Sequence, residues 1–402
     1  MTTTSPWPLM GRTVRPPAGM LADRRFGMLV DQFFGLFHDA SQGGGALAVY
    51  LHGEPVVDVW AGWASRDTFW QDDTVTLTFS TGKGVASTVL HRLAGRGIID
   101  YEAPVAQYWP EFAAEGKDEI TVRELLSHRA GLHRVRGLVP GPLSLMDHSL
   151  VSAALAAATP DQRRLKVPGY HAVTFGSLVA ELTSRAAGKP FTELVRTEVA
   201  EPLGVKEFWY EVPPAERARI ARTFPHINPF GVPWGATSFA MSRLPGLRNV
   251  ADAGMPAGFD ALVRNPAIHD SVMPGWNGVF SARALARMYG ALANGGTVGG
   301  GEFLPPDVVA QLSQVQTTAR DYVLGIPMNW RLGYHAGMVA RRRQPSNTFG
   351  HYGLGGSGAF ADADSGLSIA FVTNRLGNML TPIADLRLPK LGSTALAIAE
   401  RL

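Results

Sequence analysis

The chain has no cysteine in its 402 residues. That single absence excludes disulfides, thiolate metal sites, iron–sulfur clusters and a cysteine nucleophile. Long apolar runs are missing too: no stretch reaches the 18 or so apolar residues that a membrane span needs. The first ten residues, Met1 to Met10, lack a basic start, an apolar stretch and a small-residue cleavage site. A soluble cytoplasmic protein is therefore the expectation. Charge is scarce and balanced, with 37 Lys and Arg against 34 Asp and Glu, 18% of the chain in all. The longest basic cluster is Arg341-Arg342-Arg343, which reads as a solvated surface patch. No stripe of basic residues interleaved with aromatics suggests a nucleic-acid partner. There is no His-Glu-x-x-His and the histidines are scattered, so neither a metal nor any other cofactor is expected.

What is present is an ordinary apolar fraction, 46%, on a chain long enough for one large domain or two packed lobes. Leu21 to Ala40 carries Met28, Leu29, Phe33, Phe34 and Phe37 on a helical spacing, which predicts an amphipathic helix. The β-rich runs Ala46–Leu51 and Val56–Trp60 meet at His52-Gly53-Glu54-Pro55 and predict a hairpin. From about Ser80 to Gly290 the pattern is mostly helical. Phe224 to Trp276 shows little periodicity and many Pro, Gly and aromatic residues, and is expected to be a long loop lining a site. Near the C-terminus, Gly358–Asp362 and Leu367–Val372 flank a turn, and a last helix is expected over Ser393 to Leu402. Strands at both ends with helices between them predict an α/β fold. One antiparallel sheet is built from N- and C-terminal strands and flanked by helices, with a mostly helical lobe inserted. The expected division is 20–79 with 284–402 as the α/β part and 80–283 as the helical part, the 224–276 loop lining a cleft between them.

Three segments carry residues with chemical potential. Ser80-Thr81-Gly82-Lys83 follows a β-like run, Val75 to Phe79, and opens a helix through Leu93. Positions i and i+3 share a helix face, so the Lys83 amine can approach the Ser80 hydroxyl at a helix N-terminus that favours negative charge. With 21 serines and six lysines, about 0.3 such pairs are expected by chance, so the motif alone is weak. A serine N-cap beside an exposed lysine is the plain alternative. Tyr170 lies on the Pro168-Gly169 turn, where a phenol near a lysine could act as a base. A tyrosine half-buried at a helix start is the plain alternative there. His351-Tyr352-Gly353 sits in a glycine-rich run before a C-terminal strand, where backbone can approach a ligand and an N–H can help hold an oxyanion. His-x-Gly is a cheap match, and His335-Ala336-Gly337 is a second copy.

Taken in order, these segments resemble the serine β-lactamase-like superfamily, closest to its class C and family VIII carboxylesterase members. Leu125 to Leu132 matches the family's Leu-Leu-Ser-His-x-x-Gly-Leu segment, Glu201 to Gly204 its Pro-Leu-Gly helix ending, and Gly278 to Ala282 with Leu285-Ala286-Arg287 a further segment. The resemblance spans about residues 25 to 400. It implies Ser80 as the acylated nucleophile, Lys83 as its proton partner, Tyr170 as general base, and the N–H groups of Ser80 and Leu354 as the oxyanion hole. His351 would stand where β-lactamases carry the lysine of Lys-Thr-Gly. His128 reads as structural.

Two departures matter. Ala172 stands where the family has an amide side chain, and His351 removes a fixed positive charge. Both favour neutral esters over β-lactams. The expected activity is therefore a serine carboxylesterase acting through an acyl-Ser80 on small-molecule esters of short to medium acyl chains. A β-lactamase, a D-Ala-D-Ala peptidase and an acyltransferase are the alternatives, and a non-catalytic binding protein a more distant one. His351, Tyr352, Gly353 and Trp276 are expected to contact substrate, with Phe224, Phe230, Trp234 and Phe239 as further wall residues. An α/β-hydrolase is excluded. No Gly-x-Ser-x-Gly occurs, and Ser357 has no histidine after it, whereas that fold needs an acid and then a histidine.

Overall fold

A computed structural model describes residues 19–37, 43–223, 234–244, 246–254, 258–339, 346–377 and 385–402. Phe224, Phe230 and the Arg341–Arg343 patch lie outside the described residues, as does the side chain of Trp234.

Eleven strands are described: β1 (Leu21–Ala22), β2 (Gly44–Leu51), β3 (Glu54–Gly62), β4 (Thr76–Leu77), β5 (Phe208–Trp209), β6 (Val279–Phe280), β7 (Thr297–Val298), β8 (Gly301–Glu302), β9 (Thr348–Tyr352), β10 (Gly358–Asp362) and β11 (Leu367–Thr373). The main sheet has the order β1-β3-β2-β11-β10-β9, antiparallel throughout. The two ends of the chain meet at its centre, where Leu47 pairs with Phe371 and Val49 with Ile369. The β2–β3 hairpin turns through His52 and Gly53, both at positive φ (51° and 83°), the geometry that matches strand twist in a two-residue loop.

Side chains alternate across this sheet with a period of two. Leu47, Val49, Val57, Val59, Ile369 and Phe371 face one side, where the helices Gly27–Phe34 and Arg387–Ala399 cover them. Ala46, Ala48, Ala359, Ala361 and Ala370 face the other. These small residues let the helix Ala282–Ala293 lie close, and Ser368 Oγ donates to the Ala286 carbonyl at 2.7 Å. Beyond it the helix Gly82–Gly95 is buried on nearly every side, packed on Thr174–Ala187. A three-stranded sheet, β4-β6-β5, anchors its entry, and Thr78 N–H and Oγ1 both donate to the Gly278 carbonyl.

Three elements differ from the sequence expectation. The Leu21–Ala40 helix is shorter: Leu21–Ala22 pairs with Val57–Asp58 instead, Asp23 caps a 3₁₀ turn, and the α-helix runs only over Gly27–Phe34. The 224–276 stretch is not one loop, because it contains helices Trp234–Arg243, Arg248–Gly254 and Phe259–Arg264. The last helix begins at Arg387, six residues earlier than expected, with Pro389 in its first turn where no hydrogen bond is lost. No described helix is long and apolar enough to cross a membrane.

Candidate active site

Ser80 sits in a 3₁₀ turn, Phe79–Thr81, immediately ahead of the helix that begins at Gly82. It is not a helix cap: Thr81 holds that position, without a side-chain capping bond. The preceding Phe79 has φ of +51°, a left-handed conformation that is strained for a bulky residue and turns the next side chain outward. Lys83 is fully buried rather than exposed, and its Nζ lies 2.9 Å from Ser80 Oγ. The plain alternative of a cap and a solvated lysine does not describe this segment.

The Lys83 amine has two further partners, the carbonyl oxygens of Ala172 at 2.6 Å and Gly275 at 2.5 Å. They reach it because the 274–276 segment crosses the start of the Thr174–Ala187 helix at Gly176, where any Cβ would overlap the backbone of Pro274 and Gly275. Burial pushes Lys83 well below the usual lysine range. A neutral amine has two N–H groups and one lone pair. The two carbonyls each accept an N–H, the third position of Nζ faces Ser80 Oγ, and burial disfavours the charged form of this amine.

Tyr170 approaches Ser80 from the other side. Its ring lies 5.3 Å from Lys83 Nζ, and burial raises its phenol above the ordinary range, an effect that hydrogen bonding with Ser80 opposes. The loop that carries it is fixed around His128, a fully buried residue at φ +60°. The His128 carbonyl accepts from Gly169 N–H at 3.0 Å, and its Nδ1 accepts from His171 N–H at 3.1 Å. Both neighbours of Tyr170 are thus held by one residue, the structural part expected of His128. His171 then donates from Nδ1 to the Gly169 carbonyl (2.7 Å) and accepts from Leu132 N–H (2.9 Å), which closes the loop.

On the third side, β9 brings His351 and Tyr352 to the site. Gly353 passes so close to the Ser80 turn that a Cβ there would overlap the Thr78 carbonyl oxygen. The His351 Nδ1–H donates to the Tyr352 carbonyl at 3.0 Å, and its buried Nε2 has no partner. Neither the Ser80 nor the Leu354 N–H is given to a backbone carbonyl outside its own turn among the described residues. Ser80, Tyr170, Ala172, Trp276, His351, Tyr352, Gly353 and Leu354 all line one cavity of about 130 Å³. Phe239 does not: it is 58% exposed.

Val250 comes from the 224–276 stretch expected to line a site and His335 from the second His-x-Gly, while Val323, Leu324, Met328 and Trp330, also in the wall, carried no signal in the sequence. Those four come from the 323–330 stretch, which has no motif, and only the fold brings them to the cleft. No Lys, Arg, Asp or Glu lines the cavity among the described residues, and burial holds His335 at about 4 and His351 well below its ordinary value. The cavity is therefore uncharged and mostly apolar at neutral pH.

The same burial makes the protein sensitive to acid. His91 and His171 are lowered to about 3, and His133 and His335 to about 4. The unfolded chain takes up protons on these residues near pH 6.5 while the folded chain does not, so stability falls as pH drops from there toward 4. Each histidine contributes up to about 1.4 kcal/mol per pH unit in that window. Melting temperature followed by circular dichroism is expected to be level from pH 7 to 8 and to fall steeply below pH 6. A flat profile down to pH 4.5 would contradict the buried neutral assignment.

A family model described as Beta-lactamase matches residues 30–391. The chain is 43% identical over 365 residues to the esterase/beta-lactamase LipL of Mycobacterium tuberculosis, covering 88% of this chain and 82% of that one. Among solved structures, it is similar to a family VIII carboxylesterase (TM-score 0.80, 32% identity, 95% of this chain and 98% of that one). It is similar also to a penicillin-binding protein homolog from Caulobacter crescentus (TM-score 0.79, 32% identity, 94% and 98%).

Proposed function

The chain belongs to the Beta-lactamase family, and from that premise we propose that it is a serine carboxylesterase that hydrolyses small, neutral esters through an acyl-Ser80. The observation that carries this reading is Ser80 Oγ, on the wall of a cavity with no charged lining residue among the described residues, facing the fully buried Lys83 amine at 2.9 Å.

Burial moves Lys83 and Tyr170 in opposite directions, and both effects favour their neutral forms. In the proposed sequence Lys83 Nζ takes the Ser80 proton as Oγ attacks the ester carbonyl. This differs from assigning that step to a Tyr170 phenolate, which burial disfavours. The oxyanion is held by the Ser80 and Leu354 N–H groups, each worth about 3 kcal/mol in comparable sites. Tyr170 gives its proton to the departing alkoxide and regains one from Lys83. Water then attacks the acyl-Ser80 with the same base, releasing the acid and restoring the Ser80 hydroxyl.

Size and charge define the substrate. An apolar cavity of about 150 Å³ accommodates benzene, so about 130 Å³ suits an acyl group of roughly that bulk, such as butyryl. A β-lactam or a D-Ala-D-Ala peptide brings a carboxylate, and no cation lines the described cavity to meet it. His351 offers only an unprotonated Nε2. Hydrolysis of p-nitrophenyl butyrate beside nitrocefin tests this reading. The expected kcat/KM favours the ester by about 10⁴-fold, the scale of discrimination when a binding site leaves a polar group unpaired. Comparable values for the two substrates would overturn it.

A further inference from the structure

Asp321 is fully buried on the loop between β8 and β9, outside every motif that the sequence offers. Its partners are N–H donors rather than a cation. Oδ1 accepts from the backbone of Val323 and Leu324, both at 2.9 Å, and Oδ2 accepts from Trp330 Nε1 at 2.9 Å. The Tyr170 N–H is near enough to this carboxylate to favour its ionised form. Trp330 in turn stacks on the Tyr170 ring, with centroids 5.5 Å apart and planes 19° from parallel. The next residue, Tyr322, donates its N–H to the Pro168 carbonyl at 3.0 Å, and its ring lies where a Gly169 Cβ would be. One short segment therefore grips the Pro168–Tyr170 turn at its backbone and its ring.

Burying a carboxylate with no cation is costly, and a turn of this kind can be built without one. What an apolar residue or a plain amide cannot supply is acceptor positions for all three N–H groups of Val323, Leu324 and Trp330 with the Tyr170 N–H close by. We propose that Asp321 is the positioning residue for Tyr170, fixing its turn through the 321–324 segment that carries Tyr322 and its ring through Trp330. Val323, Leu324 and Trp330 are cavity walls as well, so the same carboxylate sets the shape of the pocket around the phenol. Its electrostatic influence is compatible with this part: burial raises Asp321 above the usual carboxylate range, and the surrounding N–H groups pull it back toward the ionised form.

This inference rests on the proposed acyl-Ser80 chemistry, and the test separates the two. Asp321→Asn keeps the shape but turns an N–H group toward the N–H groups it faces. Asp321→Asn is expected to lower kcat for p-nitrophenyl butyrate about 30-fold, within the range that a 1 Å misplacement produces, and to change KM less than about twofold. In a Tyr170→Phe background the same substitution is expected to cost little more, because the group it positions is already gone. Trp330→Phe keeps a ring on Tyr170 and removes only the indole N–H. It is expected to give a smaller kcat loss of about fivefold with KM retained, and it decides the matter where Asp321→Asn fails to fold. An equal loss from Asp321→Asn in both backgrounds, or full kcat in Asp321→Asn or Trp330→Phe, would overturn the positioning role while leaving the ester-hydrolase reading intact. Full activity in Tyr170→Phe alone would instead sink that reading.

Discussion

Replacing Ser80 by alanine is expected to reduce turnover of p-nitrophenyl butyrate by about 10⁴-fold or more, the scale seen when a nucleophile that acts as one unit with its base is removed. The folded protein should otherwise be unchanged. Among the described residues the Ser80 hydroxyl meets Lys83 and Tyr170, and the strained Phe79 turn ahead of it is set by backbone and by the β4–β6 pairing. The melting temperature of Ser80→Ala should therefore stay within a few degrees of the parent, which separates loss of chemistry from loss of fold. Retention of more than about a tenth of the activity would be incompatible with an acyl-Ser80, because removing a nucleophile that works as one unit with its base costs orders of magnitude more than tenfold.

The second large effect concerns Lys83. Lys83→Met removes the lone pair that faces Ser80 while keeping a side chain of similar length. A loss of about 10³-fold in kcat is expected, in the middle of the range for a positioned general base. Stability falls too. The carbonyls of Ala172 and Gly275 lose their shared donor, and an unsatisfied buried polar group costs about 1–3 kcal/mol. Lys83→Arg separates charge from basicity, because guanidinium keeps donors for both carbonyls and has no lone pair at any working pH. If the neutral amine is what matters, arginine does not rescue turnover. Recovery of activity in Lys83→Arg, measured beside Lys83→Met at matched folded fraction, would point to electrostatic support of the oxyanion instead.

How much of this was legible beforehand depends on whether the signal was local. The hairpin at His52-Gly53 and the strands β10 and β11 were readable, because β-rich runs bounded by turn residues need no partner to be recognised. The pairing of Leu21–Ala22 with β3 was not. That bridge is a backbone contact across more than thirty residues, and the helical spacing of Met28 to Phe37 invited extension in both directions. The helices within 234–264 were missed for a related reason: they are six to ten residues long and interrupted by Pro and Gly, too short for periodicity to stand out.

The site divides in the same way. The Ser80–Lys83 spacing and the Tyr170 turn are each weak alone and become legible only in order with the Leu125–Leu132 and Gly278–Ala282 segments that carry the family resemblance. The carbonyls of Ala172 and Gly275 hold the Lys83 amine in place, yet every residue has a carbonyl and nothing in a sequence marks these two. Asp321 and Trp330 are similar. Each is unremarkable in its local run, and only the route of the 321–330 loop beside Tyr170 gives them a part.

The central claim is that Ser80 carries the acyl group, and covalent labelling tests it most directly. A p-nitrophenyl butylphosphonate should inactivate the enzyme with release of one equivalent of nitrophenol. Peptide mass mapping should then place a single phosphonyl group on Ser80, with none on the Ser80→Ala protein. Inactivation accompanied by modification of another residue, or equal labelling of the Ser80→Ala protein, would contradict the account.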